Sequence, residues 1–140
     1  MKSIIKKLRF LTPIVIGVIF FVISCKKTAG DGGNSSISGI VWLENWTPGF
    51  TALISRYAAT DYDVYIIYGD DVSYSDRIRT SYNGQFEFKY LRKGNYKIYA
   101  FSKDKTLLSP SGEMSIVKEI KISDKKQKVS LDTIIVYKSK

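Results

Sequence analysis

One thiol, thirteen carboxylates and no imidazole define the chemistry open to this 140-residue chain. Asp61, Asp63, Asp70 and Asp71, with Asp76 after them, form its densest group of acids. Hard oxygen ligands of this kind are what Ca²⁺ takes. Their spacing fits no EF-hand, because Asp70-Asp71 runs into Val72 with no glycine at the sixth position and no closing glutamate. They read as solvated carboxylates at strand ends, with Ca²⁺ only a weak alternative, so no metal or cofactor is expected. Without histidine there is no imidazole base or ligand, and a lone cysteine builds neither a zinc site nor an internal disulfide. No enzyme is expected. Tyr65, Tyr74, Tyr82 and Tyr99, with Trp46, are the side chains that could stack on a ligand. Core filling and strand propensity are the plainer reading of the tyrosines.

The single thiol, Cys25, lies in a telling context. Residues 1–9 carry Lys2, Lys6, Lys7 and Arg9 and no acid, and Phe10–Ile23 is apolar apart from Thr12, Pro13 and Gly17. A helix of that length spans roughly 21 Å against a hydrocarbon core of about 30 Å, short for a permanent span. A basic start, a short apolar run and a small residue at its end describe a signal peptide. Val22-Ile23-Ser24-Cys25 resembles the bacterial lipobox, which implies acylation of the Cys25 thiol and cleavage just before it. Acyl chains contribute about 0.8 kcal/mol per buried CH₂, so several hold a protein on a bilayer. The formal charge of +9 then falls to +5 in the mature chain, with Lys26 and Lys27 beside the lipid. The basic balance has no nucleic-acid-binding motif behind it, and none is expected to bind. The lack of an acid at position 26 favours the outer membrane over the inner one. The absence of acids through Ala29 favours its periplasmic side, with the cell surface as the other possibility.

Three segments follow: a signal over 1–24, a lipidated Cys and flexible tether over 25–36, and one β domain over 37–140. The tether is rich in glycine, serine and asparagine. Within the domain, alternating apolar runs separated by turn residues predict about seven strands. They are Ile37–Leu43, Tyr62–Tyr68, Asp76–Ser81, Gln85–Tyr90, Gly94–Ser102, Met114–Ile122 and Val129–Tyr137. Phe86, Phe88 and Tyr90 are expected to face inward. Asn83-Gly84 predicts a tight type I′ hairpin. Alternation breaks at Val117-Lys118-Glu119 and Ile134-Ile135, which predicts a bulge in each strand. Phe50, Leu53, Ile54, Tyr57 and Ala58 share one helical face, which predicts a short helix or lid near 48–58. An extended loop or an extra edge strand is the other reading. The strands at Tyr62–Tyr68 and Tyr96–Phe101 are apolar on both faces. Something should therefore cover their outer side, the lid first and a partner protein second. Lys125-Lys126-Gln127-Lys128 reads as a solvated turn.

A family pattern runs through these strands. Gly39-Ile40-Val41 is similar to the Gly-x-Val opening of transthyretin-like modules. The run from Thr80 through Asn83, Gly84 and Phe86 to Phe88 resembles their Thr-x-x-x-Gly-x-Phe-x-Phe hairpin. Leu91, Gly94 and Tyr96 fit their Leu-x-x-Gly-x-Tyr corner. Together these resemble the carboxypeptidase regulatory-like domain, which implies an all-β sandwich with a scaffold role for those residues. Lipoproteins of this arrangement are common in Bacteroidetes-type envelopes. One transthyretin-like branch hydrolyses hydroxyisourate through His and Arg and a C-terminal Tyr-Arg-Gly-Ser. This chain lacks His and ends Val136-Tyr137-Lys138-Ser139-Lys140. The function expected is a non-catalytic, membrane-anchored scaffold or protein-interaction module. The alternative is a small-ligand or glycan-binding module using the lid and exposed tyrosines, with a pocket beneath the lid.

Overall fold

The computed structural model describes residues 28–139, so the signal, Cys25 and the lipobox residues Val22, Ile23 and Ser24 lie outside the described residues. Two β-sheets pack face to face. In the first, β1 (Asp31–Trp46) is central. Antiparallel β5 (Gln85–Leu91) and β2 (Leu53–Ala58) flank its two halves on one side, and parallel β8 (Lys128–Ser130) and β9 (Ile134–Ser139) are its other partners. The second sheet has the order β4 (Asp76–Arg79), β3 (Asp63–Tyr68), β6 (Gly94–Lys103), β7 (Glu113–Ile122), all antiparallel. Among the described residues the architecture is an all-β sandwich of nine strands.

Alternation places one face of each strand in the core. Ile37, Val41, Phe86, Phe88, Leu91, Ile134 and Val136 meet Val64, Ile66, Tyr96, Ile98, Ala100, Ile120 and Ile122. Gly39 is needed for this closure, since a Cβ there would stand 2.7 Å from the Phe86 ring.

Several expectations are corrected. The 48–58 segment is not a helix. Pro48–Phe50 forms a single 3-10 turn in which Gly49 and Phe50 have φ of 70° and 56°, and a helix cannot continue through left-handed residues. Thr47 closes the turn, its Oγ1 accepting from the Ala52 N–H at 2.9 Å, and the chain returns as edge strand β2. Among the described residues no helix is long and apolar enough to cross a membrane. The stretch 31–36, expected as flexible tether, is the start of β1. Asp31 and Ser35 both pair with Leu91, so residues 32–34 bulge out of the ladder. A Cβ on Gly33 would lie 1.9 Å from the Leu91 carbonyl oxygen, which explains the glycine there.

The Asn83-Gly84 turn exists, but it is neither type I′ nor a hairpin within one sheet. Only Gly84 has positive φ. The Gly84 N–H bonds to the Ser81 carbonyl at 2.9 Å, and the Ser81 N–H to the Gln85 carbonyl at 2.8 Å. That is an ordinary turn closed by a left-handed glycine. Its two arms belong to different sheets, because β4 pairs with β3 and β5 with β1. Buried Thr80 diverts the chain: its hydroxyl donates to the Ala59 carbonyl and accepts from the Tyr62 N–H. Tyr90, expected inward, is 70% exposed. Its φ of 59° inserts a bulge, and Leu91 takes the inward position instead. The bulge expected in β7 is absent. The β7 register runs unbroken from Glu113 to Ile122, with Val117 outward and Lys118 on the core-side row. The last run does carry an extra residue: Ser38 pairs with Ser130 but Val41 with Ile134, and the slip at 131–133 divides it into β8 and β9.

Two polar devices fix the ends. The Tyr96 hydroxyl donates to the Arg92 carbonyl at 2.6 Å and accepts from the Gly30 N–H at 3.0 Å. At the opposite end, buried Asp104 accepts from the Thr106 N–H and hydroxyl and from the N–H groups of Leu108 and Ser109, at 2.6–2.9 Å. The Thr106 hydroxyl and then the Ser109 N–H are the main causes that hold the Asp104 carboxyl down at about 2.

Tyr96→Phe leaves buried Gly30 and Arg92 groups short of a partner. It should lower stability by about 1–3 kcal/mol, read as an earlier denaturant midpoint at unchanged slope. Asp104 has a depressed pKa, so its contribution is fully present above its ordinary 3.8 and is lost as pH falls through about 2. Asp104→Asn should be less stable at pH 7. Its stability should also lack the fall that the native chain shows from about 4 to about 2.

Candidate functional site

The outer face of the second sheet carries the aromatic cluster. The β3–β6 register sets Tyr65 directly across from Tyr99, with Val117 of β7 next in the row. The Tyr65 and Tyr99 rings stack at 5.0 Å and 12°. Phe101, two residues along β6, meets both rings edge-on at 5.5 Å, and Tyr74 comes from the β3–β4 connection to meet Tyr65 at 5.2 Å. Tyr65 and Tyr99 are half-buried by their neighbours, while Tyr74, Phe101 and Val117 are 46–54% exposed. Burial, with Tyr65 and Tyr74 beside it, raises the Tyr99 pKa above the usual phenol value. Tyr99 therefore stays neutral at physiological pH, with its hydroxyl available as donor or acceptor.

Charged pairs rim this face. Arg79 bonds to Asp61 at 3.0 Å and to Asp63 at 3.2 Å, Arg77 approaches Asp63 at 3.7 Å, and Lys103 meets Glu113 at 3.1 Å. Asp61 and Asp63 are thus partnered by arginines. Asp70 and Asp71 fall on the separate β3–β4 connection, where Asp71 faces the Ser75 hydroxyl at 3.4 Å. Among the described residues no group of three or more acids comes together to hold a metal.

Of the residues expected to contact a ligand, Tyr65, Tyr74 and Tyr99 are brought together and Trp46 is not. Trp46 ends β1 in the other sheet. Its indole N–H donates to Glu44 at 3.0 Å, and the Lys105 ammonium lies 3.5 Å above its ring. Glu44 is only 5% exposed and also accepts from the Arg56 guanidinium. Burial works to raise its carboxyl, but the bonds from Arg56 and Trp46 outweigh that and hold the pKa below its ordinary value. Trp46 is a structural member of this network. Tyr82 stands alone in the β4–β5 turn. Against this segment the structure places a hollow with one aromatic wall residue, Trp42, rather than the aromatic lining expected. The hollow of about 250 Å³ that touches this segment is lined by Trp42, Arg56, Thr133 and Ile135.

The motif residues serve the fold. Gly39, Val41, Phe86, Phe88, Leu91 and Tyr96 are core, and Thr80, Asn83, Gly84 and Gly94 shape the two corners. Phe101 was legible as a second apolar face on β6. Val117 was hidden because the break in alternation after it read as a bulge.

No family model matches the chain, and no curated protein matches it. Among solved structures it is similar to a Pseudomonas aeruginosa protein named "putative carbohydrate binding protein", at 14% identity. That match covers 80% of this chain and 92% of the other, with a TM-score of 0.45.

A double-mutant cycle with Tyr65→Ala and Tyr99→Ala should give a coupling of about 0.5–1.5 kcal/mol, as stacked rings do, measured by urea unfolding. Additive effects would mean that the pair contributes only by its area.

Proposed function

We propose that this chain is a non-catalytic envelope lipoprotein, held to a membrane by acyl chains on Cys25, whose transthyretin-like sandwich binds a partner protein through its exposed aromatic sheet face. The observation that carries the reading is the uncovered cluster of Tyr65, Tyr74, Tyr99, Phe101 and Val117. The 46–59 segment, which could have covered it, instead extends the other sheet as β2. Apolar residues gathered on one face and rimmed by charge are the pattern of an interaction surface. Tyr and Phe are enriched at such surfaces, and their burial is what an interface gains from most.

The ring geometry favours a protein over a glycan. A sugar lies flat on an open ring face. Tyr65 and Tyr99 give one face each to the other, and Phe101 approaches both edge-on. What they offer is a low ridge of ring edges and hydroxyls, which suits the side chains of another protein. The anchor reading rests on Val22-Ile23-Ser24-Cys25 after a basic, apolar leader. The outer membrane, periplasmic side, is the location proposed, on Lys26-Lys27 following the Cys.

A photoreactive phenylalanine at Phe101 should give a discrete adduct with one envelope protein in intact cells, and the same probe at Tyr82 should not. Equal adducts from both positions would remove the aromatic face from the proposal. In parallel, palmitate should label the chain and not its Cys25→Ser variant; persistent labelling of the variant would sink the anchor.

A further inference from the structure

The end of the sandwich from which the chain leads back to Cys25 carries a basic hollow. Ala29 packs beneath Gly94, and the Gly30 carbonyl accepts from the Arg92 N–H at 2.8 Å. Beside them the β1 bulge at residues 32–35, the β5–β6 corner and the β7–β8 turn enclose about 350 Å³, with Arg92, Lys93 and Lys125 on its walls. The Arg92 guanidinium lies across Gly32, its Nη2 2.9 Å from where a Cβ would stand, so glycine is what admits it there. Among the described residues neither Arg92 nor Lys125 makes an ion pair, and Lys93 reaches exposed Asp124 only at 3.9 Å. Asp31, at the start of the same strand, accepts the Tyr68 hydroxyl at 2.8 Å. Asp70 and Asp71 sit on the adjoining β3–β4 connection.

Three residues separate Cys25 from Ala29, two of them Lys26 and Lys27. Fully extended, those four steps reach about 14 Å. The strands run away from this end for as many as ten residues, about 33 Å, so the tether cannot reach a surface on which the sandwich stands by its opposite end. Resting on the lipid anchor proposed above, we propose that the Arg92–Lys93–Lys125 hollow docks on the phosphate headgroups of anionic lipid in that same membrane. The sandwich then stands on the bilayer by this end. Arginine offers a planar fork to a phosphate and lysine a point charge. A tether this short keeps headgroups at high effective concentration before the hollow, which free phosphate in solution lacks.

The full mature chain with its lipid can be placed in vesicles of phosphatidylcholine, with or without phosphatidylglycerol. Cys25 is the chain's only cysteine, so Asn34→Cys or Leu108→Cys each provides one free thiol for a fluorophore. The Asn34 probe, at the hollow, should be shielded from acrylamide only in the phosphatidylglycerol vesicles, and less so in high salt. The Leu108 probe, on the loop at the opposite end, should be equally open in both. Each basic residue near an anionic surface contributes about a fivefold factor, so Lys93→Gln with Lys125→Gln should weaken docking about 25-fold. These two exposed substitutions should leave the circular dichroism and vesicle flotation unchanged. Equal shielding in both vesicle types would trace it to the short tether and overturn the inference. Relief of shielding by millimolar inorganic phosphate would assign the hollow to a free anion and overturn it too. Flotation with an open Asn34 probe overturns docking alone, whereas a chain that does not float overturns the anchor and the docking with it.

Discussion

The hydroxyl of Tyr96 joins parts of the chain that the two sheets keep separate. Tyr96 belongs to β6 of the second sheet, while Gly30 and Arg92 belong to the chain entering β1 and leaving β5 of the first. Its ring is buried against Tyr68, and burial raises its phenol pKa despite the backbone bonds that work the other way. A neutral hydroxyl can donate once and accept, and this one does both. The surrounding geometry depends on that tie. Gly94 must lack a Cβ because Ala29 packs 2.6 Å from where it would stand. Residues 32–34 must bulge because Asp31 and Ser35 share Leu91 as partner. A stretch whose composition reads as free linker is thereby drawn into the first strand.

The sequence was legible where a single residue type has a single physical use, and illegible where two partners compete. Gly84 announced a turn because it alone takes the left-handed backbone there. Nothing local could reveal that β4 and β5 leave that turn into different sheets, since the deciding bonds run from Thr80 to Ala59 and Tyr62, about twenty residues away. Tyr90 and Leu91 show the same limit. Strict alternation chose Tyr90 for the core, but a buried leucine next to a bulged, exposed tyrosine gains more apolar burial without trapping a hydroxyl. The helical pattern at 50–58 was a coincidence of periods, and Gly49 and Phe50 break it at its first turn. Of the candidate site, Tyr65 and Tyr99 were readable as outward strand residues, and their convergence with Tyr74 was not. It needs the β3–β6 register and the return of Tyr74 from a connection.

Lys118 explains why the long outer strand of the second sheet can coexist with an apolar face. Among the described residues β7 pairs only with β6 and presents an open edge over ten residues. An unpaired edge recruits other strands unless something disfavours it. Lys118 stands on the core-side row of that edge, opposite Ile98, where a partner strand would have to desolvate its ammonium. The charge that made the strand look bulged is a guard on its edge. Backbone pairing is thereby disfavoured at this edge, while the side chains of Tyr99 and Val117 stay outward in the neighbouring row.

The two proposed surfaces are compatible because they lie at right angles. Strands run from the Arg92–Lys93 end towards the Asp104 loop, so a domain standing on its basic end holds the aromatic face upright, along the membrane normal. A partner in the same membrane could then reach Tyr65, Tyr99 and Phe101 from the side without displacing the lipid contacts. Restricting the domain to one orientation also removes rotational freedom that any partner would otherwise have to take away, so a small face of five apolar side chains can suffice where a freely tethered domain would need more. The short approach from Cys25 and the aromatic face thus support one another. A long flexible linker would have left the same tyrosines as an exposed patch with no preferred direction in which to meet anything.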